Sequence, residues 1–139
     1  MNAREYLNRA YKLDNRIKSK LAQVQSLNEM ATKVTSGFNE APVSGTRNVG
    51  RVQDVITKII DLETEINADI DSLVDIKAEI MALVKKVTEI DCQLILEMRY
   101  LCYQSWEQIA VDLNYSIHHV YKIHTQALEI CDRILNDTK

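Results

Sequence analysis

Two long runs of this chain carry apolar side chains at steps of three and four, with no Gly or Pro inside them. That pattern restricts the fold more than any other feature. In the first run, residues 3–34, the stripe is Tyr6, Ala10, Leu13, Ile17, Leu21, Val24, Leu27, Ala31 and Val34. Its eight steps cover 28 residues, or 3.5 per step, which is the spacing of a helix packed lengthwise on a partner. A helix of that length measures about 48 Å at 1.5 Å per residue. The second run, roughly 51–88, continues at Val52, Val55, Ile59, Leu62, Ile66, Ile70, Leu73, Ile76, Ile80, Leu83 and Val87. It keeps the same 3.5-residue step, and isoleucine dominates it, which favours a tightly packed seam.

Between the two runs lies SGFNEAPVSGTRNVG, Ser36 to Gly50, which holds every Gly and the only Pro of the protein. Such clustered backbone punctuation predicts a loop at about 35–50, longer than a helix–helix turn needs. The net charge of -3 is sorted along the chain. Residues 1–34 hold seven Lys/Arg against three Asp/Glu, +4, and residues 35–51 two against one, +1. Residues 52–90 hold four against nine, -5, and residues 91–139 four against seven, -3. A basic helix followed by an acidic one can fold back as an antiparallel pair with complementary flanks. Residues 1–88 therefore read as a long helical hairpin, an antiparallel two-helix coiled-coil arm. Two stripes that face only each other leave little surface for a compact core, so a second copy is expected to complete the bundle as a homo-oligomer.

The remaining composition sets outer limits. With 46% apolar and 27% charged residues over 139 positions, the chain suits one small all-α domain plus a helical arm. No apolar run approaches the ~20 residues that cross a bilayer, so no membrane partner is expected. The start, MNAREYLNRAYK, is charged and lacks the apolar core of a signal peptide, which points to a cytoplasmic protein. Cys92, Cys102 and Cys131 are odd in number, far apart and without a CxxC pair, so they read as small buried apolar residues.

From Thr88 the pattern changes, and residues 89–139 read as a three-helix module. Asp91 can cap a helix through Leu94, Ile95, Met98 and Leu101 that ends near Cys102. Ser105 opens a second helix, with Gln108 three residues on as in a capping box, and its inner face is Trp106, Ile109, Ala110 and Leu113. Asn114 tolerates the left-handed backbone that ends a helix. Ser116 caps a third, whose inner face is Val120, Ile123, Ala127, Cys131 and Ile134. The small Ala110 lets the third helix cross close to the second, as a helix-turn-helix requires.

The stretch ILEMRYLCYQSWEQIAVDLNYSIHHVYKIHTQALEI, about 35 residues from Ile95 to Ile130, resembles region 4 of bacterial sigma factors. The ordered string RYL, then SWEQIA with Leu113, then Ser116, Val120, Ile123, Ala127 and Leu128 carries the likeness. With long helices before such a module, the layout is similar to small sigma-like regulators of phages and prophages of Gram-positive bacteria, of the RinA and ArpU types. The resemblance implies a phage-type transcriptional regulator in the cytoplasm of a bacterial host. It would bind double-stranded DNA through the C-terminal helix-turn-helix, with the arm serving self-association or contact with RNA polymerase. Two departures stand out. Sigma modules place Gly in each turn, where this chain has Cys102-Tyr103-Gln104 and Asn114-Tyr115. Their recognition helix carries several Arg, whereas this one carries one Lys and three His.

Carried over by position, the resemblance places His118, Tyr121 and Lys122 at the groove face, flanked by His119, Thr125 and Gln126. Helical angles agree, since 118, 121, 122 and 125 lie opposite the stripe 120, 123, 127 and 131. Lys122 can reach guanine or phosphate, Gln126 an adenine edge or phosphate, and Thr125 a thymine methyl. Ser105 and the amides at its helix start can hold a backbone phosphate. One Lys and partly charged His give few phosphate contacts. That implies weak binding per monomer, which oligomerisation or a partner such as RNA polymerase strengthens. Yet from Asn114 to Leu128 there is no Asp or Glu, which keeps the face locally positive or neutral.

The same residues admit other chemistry. Adjacent histidines on a helix point about 100° apart, so His118, His119 and His124 read as occupants of a lightly charged reading face, not metal ligands. Trp106 reads as a core anchor. No nucleophile, general base and phosphate loop assemble, so neither an enzyme nor a cofactor is expected. Alternatives are a small terminase-like DNA-packaging protein, whose DNA module usually comes first, and a polymerase-interaction protein that does not bind DNA.

Overall fold

The computed structural model describes residues 1–40 and 45–137, and the side chains of these except 34–49. It is all-helical, with no strand among the described residues. The helices are α1 (Ala3–Glu40), α2 (Gly45–Lys85), α3 (Ile90–Leu96, continued by a wider turn over Glu97–Leu101), α4 (Trp106–Leu113) and α5 (Ile117–Asp137). Among the described residues no helix is long and apolar enough to cross a membrane. The chain divides into two compact units, a terminal unit of residues 1–13 with 73–139 and a middle unit of residues 14–72.

Helical backbone occupies most of the segment 35–50 that composition predicts as a loop. Helical backbone runs through Glu40 and resumes at Gly45, leaving 41–44, with Pro42, outside the described residues. A glycine inside a helix costs only about 1 kcal/mol, so Gly37 and Gly50 are tolerated.

In the middle unit α1 and α2 run antiparallel, covering Ile17 and Ile66 to 6% and 5% exposure. The seam departs from the expected stripe at one layer. Leu21 and Ile70 lie outside it, 51% and 42% exposed, and Lys20 and Asp69 take their place. Lys20 Nζ donates to Asp69 Oδ2 at 2.6 Å, with Glu65 at 3.7 Å from the same ammonium and Arg16 at 3.9 Å from Asp69. The departure is local: the seam steps by three from Ile17 to Lys20 and from Ile66 to Asp69, and the half-buried Val24 and Leu27 return it to the expected stripe. The ion pair satisfies the charges that this step turns inward.

The terminal unit holds the dense core. Leu7, Ala10, Ile80, Val84, Ile95, Leu96, Ile109, Val120, Ala127 and Cys131 are each at most 1% exposed. The unit boundaries at 13/14 and 72/73, rather than at 88, follow from this packing: the first turns of α1 and the end of α2 supply side chains to the same cluster as α3 to α5. A reciprocal capping box fixes the start of α1. Glu5 N–H donates to Asn2 Oδ1 at 2.8 Å, and Asn2 N–H points back to Glu5 Oε2 at 3.4 Å, the two-way arrangement that satisfies orphan amides. Asp132 of α5 accepts from Ala3 N–H at 2.7 Å, tying the first and last helices together.

Cys92 and Cys131 are buried as expected, but Cys102 is exposed, since it caps the turn after α3 at the surface. Burial pushes the Cys92 and Cys131 thiols up to about 11, so both behave as small uncharged residues.

Candidate nucleic-acid interface

The local signals around α4 and α5 act largely as their residue types dictate. Helix α3 begins at Ile90, with Glu89 rather than Asp91 at its cap position and no side-chain cap bond. Asp91 sits in the first turn, where a carboxylate suits the helix dipole, and accepts from the Tyr115 hydroxyl at 3.2 Å. Ser105 caps α4, its Oγ accepting from Gln108 N–H at 3.1 Å. The return half of that capping box is not made, because Gln108 Nε2 donates to Asp112 Oδ1 at 2.7 Å instead. Asn114 takes the left-handed conformation, φ 59°. Tyr115 N–H then reaches Ala110 O at 3.0 Å and Asn114 N–H reaches Val111 O at 3.2 Å, the paired closure of a Schellman motif. Ser116 Oγ accepts from His119 N–H at 3.2 Å and starts α5.

Tyr103 is the unusual residue. It takes φ 58°, a conformation that costs a residue with Cβ roughly 1–2 kcal/mol. The preceding turn is of the wide, π type: Cys102 N–H bonds Glu97 O and Gln104 N–H bonds Met98 O, both at 3.0 Å. The Tyr103 ring meets the edge of Tyr11 at 5.6 Å, with Lys77 Nζ 5.2 Å from its centre. Thus a left-handed residue occurs in both turns, although neither holds a glycine.

On α5 the buried stripe is Val120, Ile123, Ala127 and Cys131, each at most 5% exposed. The six groove-face candidates, His118, His119, Tyr121, Lys122, Thr125 and Gln126, are all exposed, as are Ser105 and Ser116. They are not equally free. The Thr125 hydroxyl donates to Tyr121 O at 3.0 Å, which leaves its methyl and lone pairs outward. The Tyr121 ring stands edge-on to Trp106 at 5.6 Å, and His119 edge-on to Tyr115 at 4.7 Å.

His124 does not belong with the other two histidines on an outer face. It is 5% exposed, shares a 2.6 Å hydrogen bond between its Nε2 and the Tyr100 hydroxyl, and lies 4.5 Å from the Trp106 ring centre. Burial first, then the Arg4 and Arg99 charges, lower its pKa to about 4, so it is a neutral core residue. Its spacing carries the signal, four past Val120 and three before Ala127, the same stripe. Trp106 packs against the core, with Arg99 stacked 4.5 Å above its ring.

Beside the exposed face lies a pocket of about 360 Å³, lined among others by Arg4, Arg99, Trp106, Tyr121, His124 and Thr125. Sequence reasoning passed over Arg4, because only the packing of α1 onto α5 brings it here. A family model described as "Protein of unknown function (DUF1492)" matches residues 33–132. No curated protein and no solved structure matches the chain.

Proposed function

The chain belongs to the DUF1492 family, and we propose that it is a phage-type transcriptional regulator that binds double-stranded DNA through α4 and α5 acting as a sigma-like helix-turn-helix. One observation carries this reading: six exposed polar or aromatic residues, His118 to Gln126, lie on the side of α5 away from its buried stripe. They fall in a stretch, 114–128, without a single carboxylate. An otherwise acidic module that keeps acid off this one segment suits contact with a polyanion. Lys122 makes the phosphate or guanine contact, and Ser105, Ser116 and the adjoining amides meet the backbone.

The long helices act in this reading as a coiled-coil arm for self-association or RNA polymerase contact. Leu21, Met30, Ile56 and Ile60 are each 45–55% exposed, and a second copy of the chain would cover such apolar side chains. A second reading, a polymerase-contacting protein that does not bind DNA, is favoured by the single Lys of α5 and the -3 charge of residues 91–139.

The test is binding of the purified full-length chain to the DNA upstream of its own gene, against a shuffled duplex, across a salt series. Preference for the upstream duplex, with affinity falling as salt rises, supports the regulator. Equal absence of binding to both duplexes at low salt sinks it and favours the second reading.

A further inference from the structure

The pocket beside α5 combines two cations with no anion. Arg4 comes from the first turn of α1 and Arg99 from the wide turn after α3, and none of the side chains lining the pocket is acidic. Arg99 is held in place by its stacking on Trp106 at 4.5 Å and by its Nη1 donating to Gln104 O at 2.9 Å. Its other N–H groups bond no described residue. Arg4 forms no ion pair among the described residues, yet the helix turn that carries it is pinned by the Asn2–Glu5 capping box and by Asp132 on Ala3 N–H. Both residues line the pocket together with His124, on which both guanidinium charges act.

Two like charges converging on one pocket repel unless an anion lies between them. Guanidinium groups present planar forks that match phosphate oxygens, and the aromatic walls Trp106 and Tyr121 strengthen such contacts by displacing water. We propose that this pocket is a seat for one phosphate group, gripped by Arg4 and Arg99. If the DNA reading above holds, on which this identification of the source rests, the group is a phosphate of the duplex backbone. Tyr121 and Thr125 belong both to the pocket and to the outer face of α5, so a strand lying on that face passes the two arginines. The cations that α5 lacks are then supplied from α1 and α3.

Trp106 is the only tryptophan of the chain and lines the pocket, so its emission reports occupancy. The experiment titrates the full chain with inorganic phosphate at constant ionic strength, with chloride as the control. A saturable change in wild type, weakened about tenfold or more in Arg4→Gln and partly kept in Arg4→Lys, upholds the seat. Because Arg4 is exposed, Arg4→Gln is expected to keep the wild-type circular dichroism. A response that never saturates, or that is identical in wild type and Arg4→Gln, overturns the proposal whatever DNA does.

A parallel titration with a non-specific duplex separates the sources. A salt slope reduced by about one in Arg4→Gln assigns the seat to the DNA backbone. Saturable phosphate binding without any duplex binding leaves the seat standing for a free phosphorylated ligand and sinks the DNA reading alone.

Discussion

The two compact units use the same kind of helix in opposite ways. In the terminal unit five helical segments enclose side chains such as Leu96, Ile109 and Val120 at 0% exposure. In the middle unit two helices face only each other, so Ile17 and Ile66 are covered while Ile56 and Ile60 stay 45% and 55% exposed. A pair of helices can bury one stripe each, whereas a three-dimensional cluster closes around its apolar groups on every side. The dense unit can therefore hold a strained Tyr103, a buried histidine and a shaped pocket. The sparse unit relies on an ion pair to fix its register and leaves apolar surface over.

The largest effect that would test this contrast is a core truncation. Leu96→Ala should cost about 2–5 kcal/mol in chemical denaturation, as fully buried leucines do. Ile60→Ala should stay within about 0.5 kcal/mol under conditions where the chain is a monomer. Equal losses at the two sites would erase the distinction between the units.

Acid should strike the dense unit through His124. Its imidazole takes a proton near 6.5 when unfolded but resists one down to about 4 when folded. Its contribution is therefore complete above about pH 6.5 and is lost as pH falls toward 4. At about 1.4 kcal/mol per pH unit the total loss is about 3 kcal/mol. His124→Gln should flatten that part of the stability profile, and a wild-type profile already flat between pH 6.5 and 4 would refute the assignment.

Lys20→Ala sharpens the other side of the comparison. It leaves Asp69, whose side chain is 19% exposed, with only the distant Arg16, and should cost about 1–3 kcal/mol. Lys20→Met with Asp69→Leu should recover most of this by restoring an apolar layer. A Lys20→Ala protein as stable as wild type would show the pair to be incidental.

Much of this architecture was legible in the chain. The stripes gave both long helices, and the Ser105, Asn114 and Ser116 signals placed α4, its end and the start of α5, because caps are local chemistry. What escaped was tertiary. The exchange of Leu21 and Ile70 for Lys20 and Asp69 rests on the ion pair these two make across the seam, a contact between helices that no periodicity within either one announces. The packing of Leu7 and Ala10 into the same core as α5 depends on contacts more than a hundred residues apart, and with it the arrival of Arg4 beside Arg99. His124 was readable at its helical spacing, but its polarity made it look like a surface residue. The Gly-bearing segment suggested a long loop because glycine only weakens a helix.

Under the proposed DNA-binding function, the two units also differ in the cations they offer a duplex. On α1 of the middle unit Arg16, Lys18 and Lys20 lie within ion-pair distance of a carboxylate, whereas Lys33 forms no ion pair among the described residues. Lys122 on α5 also has no ion-pair partner among the described residues, and it stands on the exposed, carboxylate-free face of α5. Backbone amide shifts of the full-length chain, followed by NMR as a duplex is added, test the difference most directly. The account predicts changes over residues 116–126 and at Arg4 and Arg99, with residues 14–33 unmoved. Changes confined to residues 14–33, with α5 silent, would contradict it.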